Sequence, residues 1–136
     1  LDVALAVNAD GIHLGQDDLP PAEARRILPI SILIGSSTHG TTEAVRAQAN
    51  GADYVAVGSI YPTTSKEKCK LVGLETLWRT RSKVLVPLIA IGGINHTNVQ
   101  PVMKAGADGV AVISAVLGAD DTETAARKLV AKMKRI

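Results

Sequence analysis

A five-residue pattern that occurs three times limits the possible fold more than any other feature of this chain. The copies are Asn8-Ala9-Asp10-Gly11-Ile12, Gly51-Ala52-Asp53-Tyr54-Val55 and Gly106-Ala107-Asp108-Gly109-Val110. Each begins with Asn or Gly, which tolerate the left-handed conformation at a helix end, and continues through Asp into an apolar run. The pattern therefore predicts a helix that ends and turns into a strand, and its repetition favours a parallel α/β sheet.

The aspartates of the three copies could be mistaken for a catalytic carboxylate cluster. Asp10, Asp53 and Asp108 each precede a predicted strand. They are therefore expected at the edge of the sheet opposite the strand-to-helix loops, where polar residues serve stability. We expect each Asp to hydrogen-bond to backbone near its own turn.

Five apolar runs predict strands, at residues 11–14, 32–36, 53–59, 87–91 and 109–113. Helices are predicted over residues 1–8, from Pro20-Pro21, over 42–49, around Leu74 and Val99, and at the C-terminus, where Asp120 and Glu123 have capping-box spacing. The predicted inward-facing residues are Ala24, Ile27 and Leu28; Ala44, Val45 and Ala49; Leu74, Leu77 and Trp78; Val99, Val102 and Met103; and Ala126, Leu129, Val130 and Met133.

Two α/β folds are compatible with this order of elements. A five-stranded doubly wound sheet would be complete in 136 residues. An eight-stranded barrel typically needs about 250 residues and would lack three β/α units. The pattern alone does not choose between them.

Composition excludes several functional classes. The formal net charge is +2 and the cations form no stripe with aromatic residues, which argues against a nucleic-acid partner. No apolar run is long enough to cross a bilayer, and the first residues lack a basic signal-peptide region, so we expect no membrane partner. The single cysteine, Cys69, cannot form an internal disulfide, which fits a cytoplasmic location.

The segments that follow the predicted strands carry the polar chemistry. They are residues 15–18, 37–39, 62–66, 92–94 and 114–115, and they offer an acidic pair, a Ser37/His39 pair, a loop of hydroxyls with one lysine, and two segments with free N–H groups. In parallel α/β proteins such segments meet at one edge of the sheet. The set suits phosphate and a divalent cation, although residues 62–66 could also be a polar surface turn.

These segments together closely resemble thiamine-phosphate synthase. The resemblance runs through residues 10–18, 35–39, 52–66, 89–95 and 105–114, and its most specific parts are the His-Leu-Gly-Gln-x-Asp segment and the Pro-Thr-x-Ser-Lys loop. It implies a (β/α)8 TIM barrel that joins a hydroxymethylpyrimidine diphosphate to a thiazole phosphate. In that family diphosphate leaves first and the thiazole nitrogen captures the pyrimidine cation.

The resemblance also implies roles for individual residues. Asp18 would be a ligand of the Mg²⁺ cofactor, Ser37 would contact the pyrimidine diphosphate, and Lys66 would hold the departing diphosphate; Thr63, Thr64, Ser65 and the backbone N–H groups of Gly93, Ile113 and Ser114 would bind the thiazole phosphate. Ser65 stands where the family more often has Thr. The simpler interpretations are that Asp18 caps the next helix, that Ser37 is a turn hydroxyl, and that His13 and His96 are structural or exposed.

The chain departs from the family at its beginning. The family's first three strands, with a Gln/Arg/Lys cluster and a second Mg²⁺-binding Asp, would lie before Leu1. We therefore expect residues 1–136 to be a single domain that contains strands 4–8 of the barrel and is inactive alone. Its two open sheet edges would favour a homo-oligomer or another covering chain.

Two alternatives remain at this stage. A thiazole tautomerase-like relative would share the barrel and use His39 as a general base. A non-catalytic half-barrel could instead associate with a partner.

Overall fold

The computed structural model describes residues 1–63 and 70–134. All five predicted strands form within these residues, as β1 (Gly11–Leu14), β2 (Leu33–Thr38), β3 (Tyr54–Val57), β4 (Leu88–Ile91) and β5 (Gly109–Ala111). The helices are α1 (Asp2–Ala6), α2 (Pro21–Ile27), α3 (Thr41–Ala49), α4 (Gly73–Arg81), α5 (Val99–Lys104), α6 (Ser114–Leu117) and α7 (Thr122–Met133). The last strand ends at Ala111 instead of Ile113, and the short α6 was not predicted.

The five strands form one parallel sheet in the order β1-β2-β3-β4-β5. Consecutive strands are neighbours throughout. A doubly wound sheet would reverse its strand order at a switch point, so this order excludes that alternative. Right-handed crossovers that always step in the same direction put their helices on one face of the sheet, as in a barrel wall.

The main core lies between that face of the sheet and the helices. Its strand residues include Val55, Val57, Leu88 and Ala90, which pack with Ala44, Leu77 and Val99 of the helices. A smaller cluster, formed by Leu14, Ala24, Leu28, Ile32 and Ile34, lies under α2. These core residues are all aliphatic, which is usual for a parallel α/β sheet.

The predicted inward faces of α5 and part of α2 and α4 are confirmed, but several assigned residues are exposed. The relative exposures are 57% for Ile27, 38% for Val45, 63% for Trp78 and 54% for Val130. In α3 the buried pair is Ala44 and Ala47, while Ala49 is exposed. The reason is that these helices are short and bury a narrow stripe at i, i+3, so one apolar neighbour of each stripe remains outside.

The three repeated turns have the predicted backbone. Asn8, Gly51 and Gly106 have φ values of 52°, 88° and 100°. Within the described residues, the aspartates of the second and third copies do not bond to their own turns as expected. The Asp53 and Asp108 carboxylates accept from a neighbouring strand and an arginine instead. Asp53 Oδ2 accepts hydrogen bonds from the Ile34 N–H (2.7 Å) and Arg25 (2.5 Å).

The third copy uses its aspartate in the same way. Asp108 Oδ2 accepts from the Leu88 N–H (2.8 Å) and from Arg81 (2.6 Å). In the first copy the Asp10 backbone carbonyl accepts from the Leu33 N–H at 3.0 Å. The repeated pattern therefore joins neighbouring strands at their amino ends.

The cap of α7 differs from the prediction by one residue. Asp121, not Asp120, is the N-cap, and its carboxylate accepts from the N–H (2.9 Å) and the hydroxyl (2.6 Å) of Thr124. These hydrogen bonds from Thr124, the side-chain one first, lower the pKa of Asp121. Within the described residues, no helix is long and apolar enough to span a membrane.

Candidate functional site

A cavity of about 600 Å³ opens at the carboxyl ends of the strands. It is lined by residues from the segments after all five strands. Six of the predicted site residues line it: Asp18, Ser37, Thr63, Gly93, Ile113 and Ser114. The structure therefore brings together side chains that are up to 96 positions apart in the sequence.

Three predicted site residues lie outside the described part of the chain. These are Thr64, Ser65 and Lys66. Their predicted neighbour Thr63 is half-buried at the wall of the cavity. The structure thus locates where this loop leaves the sheet.

The acidic loop after β1 is a closed turn. Asp18 Oδ2 accepts the Gly15 N–H at 2.7 Å, and the Asp18 N–H donates to the Gly15 carbonyl at 3.4 Å. The N-cap of α2 is Pro20, and no side chain caps that helix. The simpler interpretation of Asp18 as a helix cap is therefore wrong, and its carboxylate is held at the cavity wall.

Ser37 contacts a different histidine from the one its sequence neighbours suggest. Its hydroxyl is 2.8 Å from Nε2 of His13, and Nδ1 of the same imidazole is 2.9 Å from the Tyr54 hydroxyl. The direction of each hydrogen bond depends on the imidazole tautomer. Ser37 and His39, which the sequence places in one segment, thus have different partners.

His39 instead contacts the helix that follows it. The backbone N–H of His39 donates to Glu43 Oε2 at 2.7 Å, and the imidazole Nδ1 is 3.4 Å from the same oxygen. A glutamate in the first turn that reaches back to the preceding N–H is a common way to start a helix. The contact between His39 and Glu43 is therefore a contact at the N-terminus of α3.

The contact between His13 and Tyr54 depends on a glycine between them. His13 is paired with Gly35 across β1 and β2, and Gly35 is paired with Tyr54 across β2 and β3. A Cβ at Gly35 would lie 2.0 Å from Cζ of Tyr54, so only Gly allows the ring to cross this position. Alternation along adjacent strands puts these residues and Ser37 on one face, a signal that sequence reasoning did not use.

Gln16 also contributes to the site, although the sequence did not single it out within the segment 15–18. Its side-chain Nε2 donates to the Ser37 carbonyl at 2.5 Å, and it lines the cavity. The backbone and hydroxyl of Ser37 are thus held by two different side chains from the β1 segment.

The glycine pair after β4 lies close to the segment after β3. Gly92 and Gly93 have φ values of 100° and 64°. A Cβ at Gly93 would lie 2.4 Å from the Pro62 carbonyl oxygen, and one at Gly92 would lie 2.1 Å from Ser59 Oγ. Both conformation and space therefore require glycine at these two positions.

The segment after β5 is helical where a loop was predicted. The strand ends at Ala111 and Ser114 is the first residue of α6. Within the described residues, the backbone N–H groups of Gly93, Ile113 and Ser114 donate no hydrogen bond.

The acidic residues of the cavity do not form a complete metal centre by themselves. The described part of the chain contains no group of three or more His, Cys, Asp or Glu residues that could hold a metal ion. Asp17 and Asp18 are the carboxylates that line the cavity. Mg²⁺ is commonly held by one or two carboxylates, with water and substrate phosphates as its other ligands, so the donor set fits Mg²⁺.

The sheet order and the position of the cavity define a class of protein: a parallel α/β protein with consecutive strands side by side and a cavity at their carboxyl ends. The sequence profile of the thiamine monophosphate synthase family matches residues 1–116. The chain belongs to that family.

Individual relatives agree with this assignment. The chain is 52% identical over 130 residues to the thiamine-phosphate synthase of Chloroflexus aurantiacus, covering 95% of this chain and 60% of the relative. It is 55% identical to that of Methanoculleus marisnigri, again over 95% of this chain and 62% of the relative. The chain thus spans about three-fifths of the length of the curated relatives it matches.

Solved structures share the fold. A thiamine phosphate pyrophosphorylase from Pyrococcus furiosus superimposes with a TM-score of 0.89 at 45% identity, over 97% of this chain and 63% of that one. A 3-hexulose-6-phosphate synthase superimposes with a TM-score of 0.74 at 25% identity, over 98% of this chain and 66% of that one.

Proposed function

We propose that this chain is the carboxyl-terminal part of a thiamine-phosphate synthase. The whole enzyme would join 4-amino-2-methyl-5-hydroxymethylpyrimidine diphosphate to thiazole phosphate and release diphosphate. The observation that carries the proposal is that six residues, assigned to ligands from the sequence, line one cavity. The relatives that are 52% and 55% identical are both named thiamine-phosphate synthase.

The reaction explains why this cavity needs both anion-binding groups and a cation. The bond between the pyrimidine methylene carbon and the diphosphate oxygen breaks first, and the thiazole nitrogen then forms the new C–N bond. Charge accumulates on the departing diphosphate, so groups that neutralise it there stabilise the transition state. We assign this role to Lys66, which lies outside the described residues.

The cation of this family would be held at the acidic loop. Asp18 offers a hard oxygen ligand, and its position is fixed by the hydrogen bond from the Gly15 N–H at 2.7 Å. When bound, Mg²⁺ supplies positive charge that neutralises the diphosphate. We expect a second carboxylate ligand from the part of the enzyme that precedes Leu1.

Ser37 is proposed to contact the pyrimidine diphosphate. Its hydroxyl is oriented by His13 at 2.8 Å, and its backbone carbonyl accepts from Gln16. A hydroxyl that is already oriented loses less entropy when the ligand binds. His13 is thus a positioning residue in this proposal. The sequence analysis had interpreted His13 as a structural or exposed residue.

The thiazole phosphate is proposed to lie where the segments after β3, β4 and β5 meet. Thr63 and the backbone amides of Gly93, Ile113 and Ser114 line this side of the cavity. Thr64 and Ser65 would continue the same loop. Backbone N–H groups and hydroxyls are suited to phosphate oxygens.

The finer description of the fold belongs to the same proposal. Residues 1–136 would form a single domain that contains strands 4–8 of a (β/α)8 barrel, without its first three β/α units. Among the described residues, β1 and β5 each pair with one strand only. The substrates would be small molecules in the cytoplasm, and the open edges would permit a homo-oligomer.

The tautomerase alternative is not favoured. The histidine that it needs as a general base, His39, contacts Glu43 in an arrangement that starts α3. The relatives that match are named as synthases. The half-barrel that only associates with a partner is tested by the experiment below.

The test is coupling activity of the full-length enzyme, supplied with both substrates and Mg²⁺, with Lys66→Ala as the variant. We expect kcat to fall about 100- to 1,000-fold, because one positioned charge at the departing group is lost. Lys70→Ala is the matched control, since Lys70 is exposed and its backbone carbonyl, not its side chain, bonds to the Ser59 N–H.

Three results would contradict the proposal. They are a full-length protein that forms no thiamine phosphate, an equal loss in the two lysine variants, and robust turnover by the isolated 136-residue chain. The first of these would favour the half-barrel without catalytic activity.

A further inference from the structure

Asn98 joins the two segments that border the proposed thiazole phosphate site. It is the half-buried N-cap of α5. Its side-chain Nδ2 donates to the Gly93 carbonyl at 2.9 Å, and its Oδ1 accepts the Asn95 N–H at 2.8 Å. One amide side chain thus closes the segment from Gly93 to α5.

The backbone of the same residue contacts the segment after β3. The Tyr61 hydroxyl donates to the Asn98 carbonyl at 3.3 Å, and the Tyr61 N–H donates to the Gly92 carbonyl at 3.0 Å. Tyr61 is two residues before Thr63, which lines the cavity. Asn98 therefore bonds to both of the segments that face each other across this corner.

The space between these segments cannot absorb a displacement. A Cβ at Gly93 would lie 2.4 Å from the Pro62 carbonyl oxygen and 2.8 Å from Cβ of Tyr61. A shift of the Gly93 peptide would therefore move its N–H group and the chain leading to Thr63 together. The Gly93 carbonyl, on the other side of the residue, is the group that Asn98 holds.

We propose that Asn98 is a positioning residue that fixes the Gly93 amide and, through Tyr61, the start of the Thr63 loop for binding of the thiazole phosphate. It does not line the cavity, so it acts through these two contacts. This inference rests on the proposed function. Its specific consequence is that loss of the Asn98 amide weakens binding of the thiazole phosphate and leaves binding of the pyrimidine diphosphate unchanged.

The variant that isolates this contact is Asn98→Asp in the full-length enzyme. An aspartate retains the oxygen that accepts the Asn95 N–H and is a favourable N-cap, so α5 should still form. It replaces the donor to the Gly93 carbonyl by an oxygen, and two acceptors then face each other. We expect the KM for thiazole phosphate to rise about tenfold, which is the effect of losing one well-placed hydrogen bond.

The matched control is Asn95→Asp. It adds the same charge three residues away, and the oxygen that accepts from the Thr97 N–H (2.8 Å) and hydroxyl (2.6 Å) is retained. We expect both KM values of this control to stay within about twofold of wild type, because the hydrogen bonds that Thr97 donates to this side chain are retained. The KM for the pyrimidine diphosphate should be unchanged in both variants.

The outcomes separate the inference from the proposed function. If the wild-type enzyme couples the substrates and Asn98→Asp leaves the KM for thiazole phosphate unchanged, the positioning role is wrong and the synthase function stands. An equal rise in both KM values, or the same rise in Asn95→Asp, would also refute it. If the wild-type enzyme does not couple the substrates, both are overturned.

Discussion

The two ends of the strands use carboxylates in opposite ways. At the amino ends, Asp53 and Asp108 each bind an arginine and a strand N–H, at distances of 2.5–2.8 Å. At the carboxyl ends, Asp17 and Asp18 have no ion pair with any residue that the structure describes. Among the described residues, Asp53 and Asp108 are thus paired with arginines, whereas Asp17 and Asp18 are not.

This difference shows that each repeated β/α unit contributes stabilising contacts at one edge of the sheet and cavity residues at the other. Each β/α unit places a helix-to-strand turn at one edge and a strand-to-helix segment at the other. The first kind of turn has the same residue pattern before β1, β3 and β5, where Asn or Gly supplies the left-handed residue at the helix end. The segments at the other edge differ from one another, since each contributes a different group to the cavity.

Among variants of the residues compared here, the largest effect is expected at the carboxyl edge, from Asp18→Asn in the full-length enzyme. The amide oxygen can still accept the Gly15 N–H, so the turn should persist. Loss of the negative charge should reduce kcat/KM about 100-fold and raise the Mg²⁺ concentration needed for activity. Steady-state kinetics with varied Mg²⁺ measure both.

Asp17→Asn is the control for this comparison. It removes the same charge from the neighbouring position. Both side chains are exposed, but the Gly15 N–H holds only the Asp18 carboxylate among the described residues, so Asp17→Asn should leave kcat/KM near the wild-type value. Equal losses in the two variants would show that general charge, and not a ligand position, accounts for the effect.

An intermediate effect, on stability instead of catalysis, is expected at the amino edge. Arg81 binds Asp108 and the backbone carbonyls of Val84 and Val86, and its side chain is 27% exposed. Arg81→Met leaves these acceptors unpaired and should lower the free energy of unfolding by about 2 kcal/mol. Urea denaturation measures the loss, and activity below the transition should be retained.

The control is Arg79→Met on the same helix. Arg79 forms an exposed i, i+4 pair with Glu75, a kind of pair that contributes about 0.3–0.5 kcal/mol. If Arg81→Met and Arg79→Met had the same free energy of unfolding, the ion pair between Arg81 and Asp108 would stabilise the protein no more than an exposed pair.

The smallest effect concerns a carboxylate that belongs to neither group. Asp121 caps α7 through Thr124, and these hydrogen bonds lower its pKa. The stabilisation is therefore present above the ordinary pKa of Asp and is lost as the pH falls through the lowered value. Asp121→Ala should lower the Tm by about 2 °C at neutral pH.

The pH dependence and a neighbouring variant check this assignment. The difference in Tm between wild type and Asp121→Ala should shrink as the pH decreases below the ordinary pKa of Asp. Asp120→Ala, which removes the residue that the spacing had suggested, should not change the Tm. If Asp120→Ala lowered the Tm and Asp121→Ala did not, Asp120 would be the N-cap, as the spacing predicted.

Sequence reasoning predicted most of the fold, because its signals are local. A left-handed turn residue, an apolar strand and an apolar helix stripe each depend on residues within a few positions. The errors lie where burial depends on the neighbouring element. Val45 and Trp78 have the right periodicity but face away from the core, which only the packing of α3 and α4 could decide.

The candidate site divides in the same way. The sequence by itself determined the chemistry at the carboxyl edge: an acid at Asp18, a hydroxyl at Ser37 and a glycine at Gly93. Only the tertiary structure decided that Ser37 contacts His13 and that Asn98 holds Gly93 and Tyr61. Residue type follows from the chain, but which side chains meet follows from the strand register and from glycines that leave space between strands.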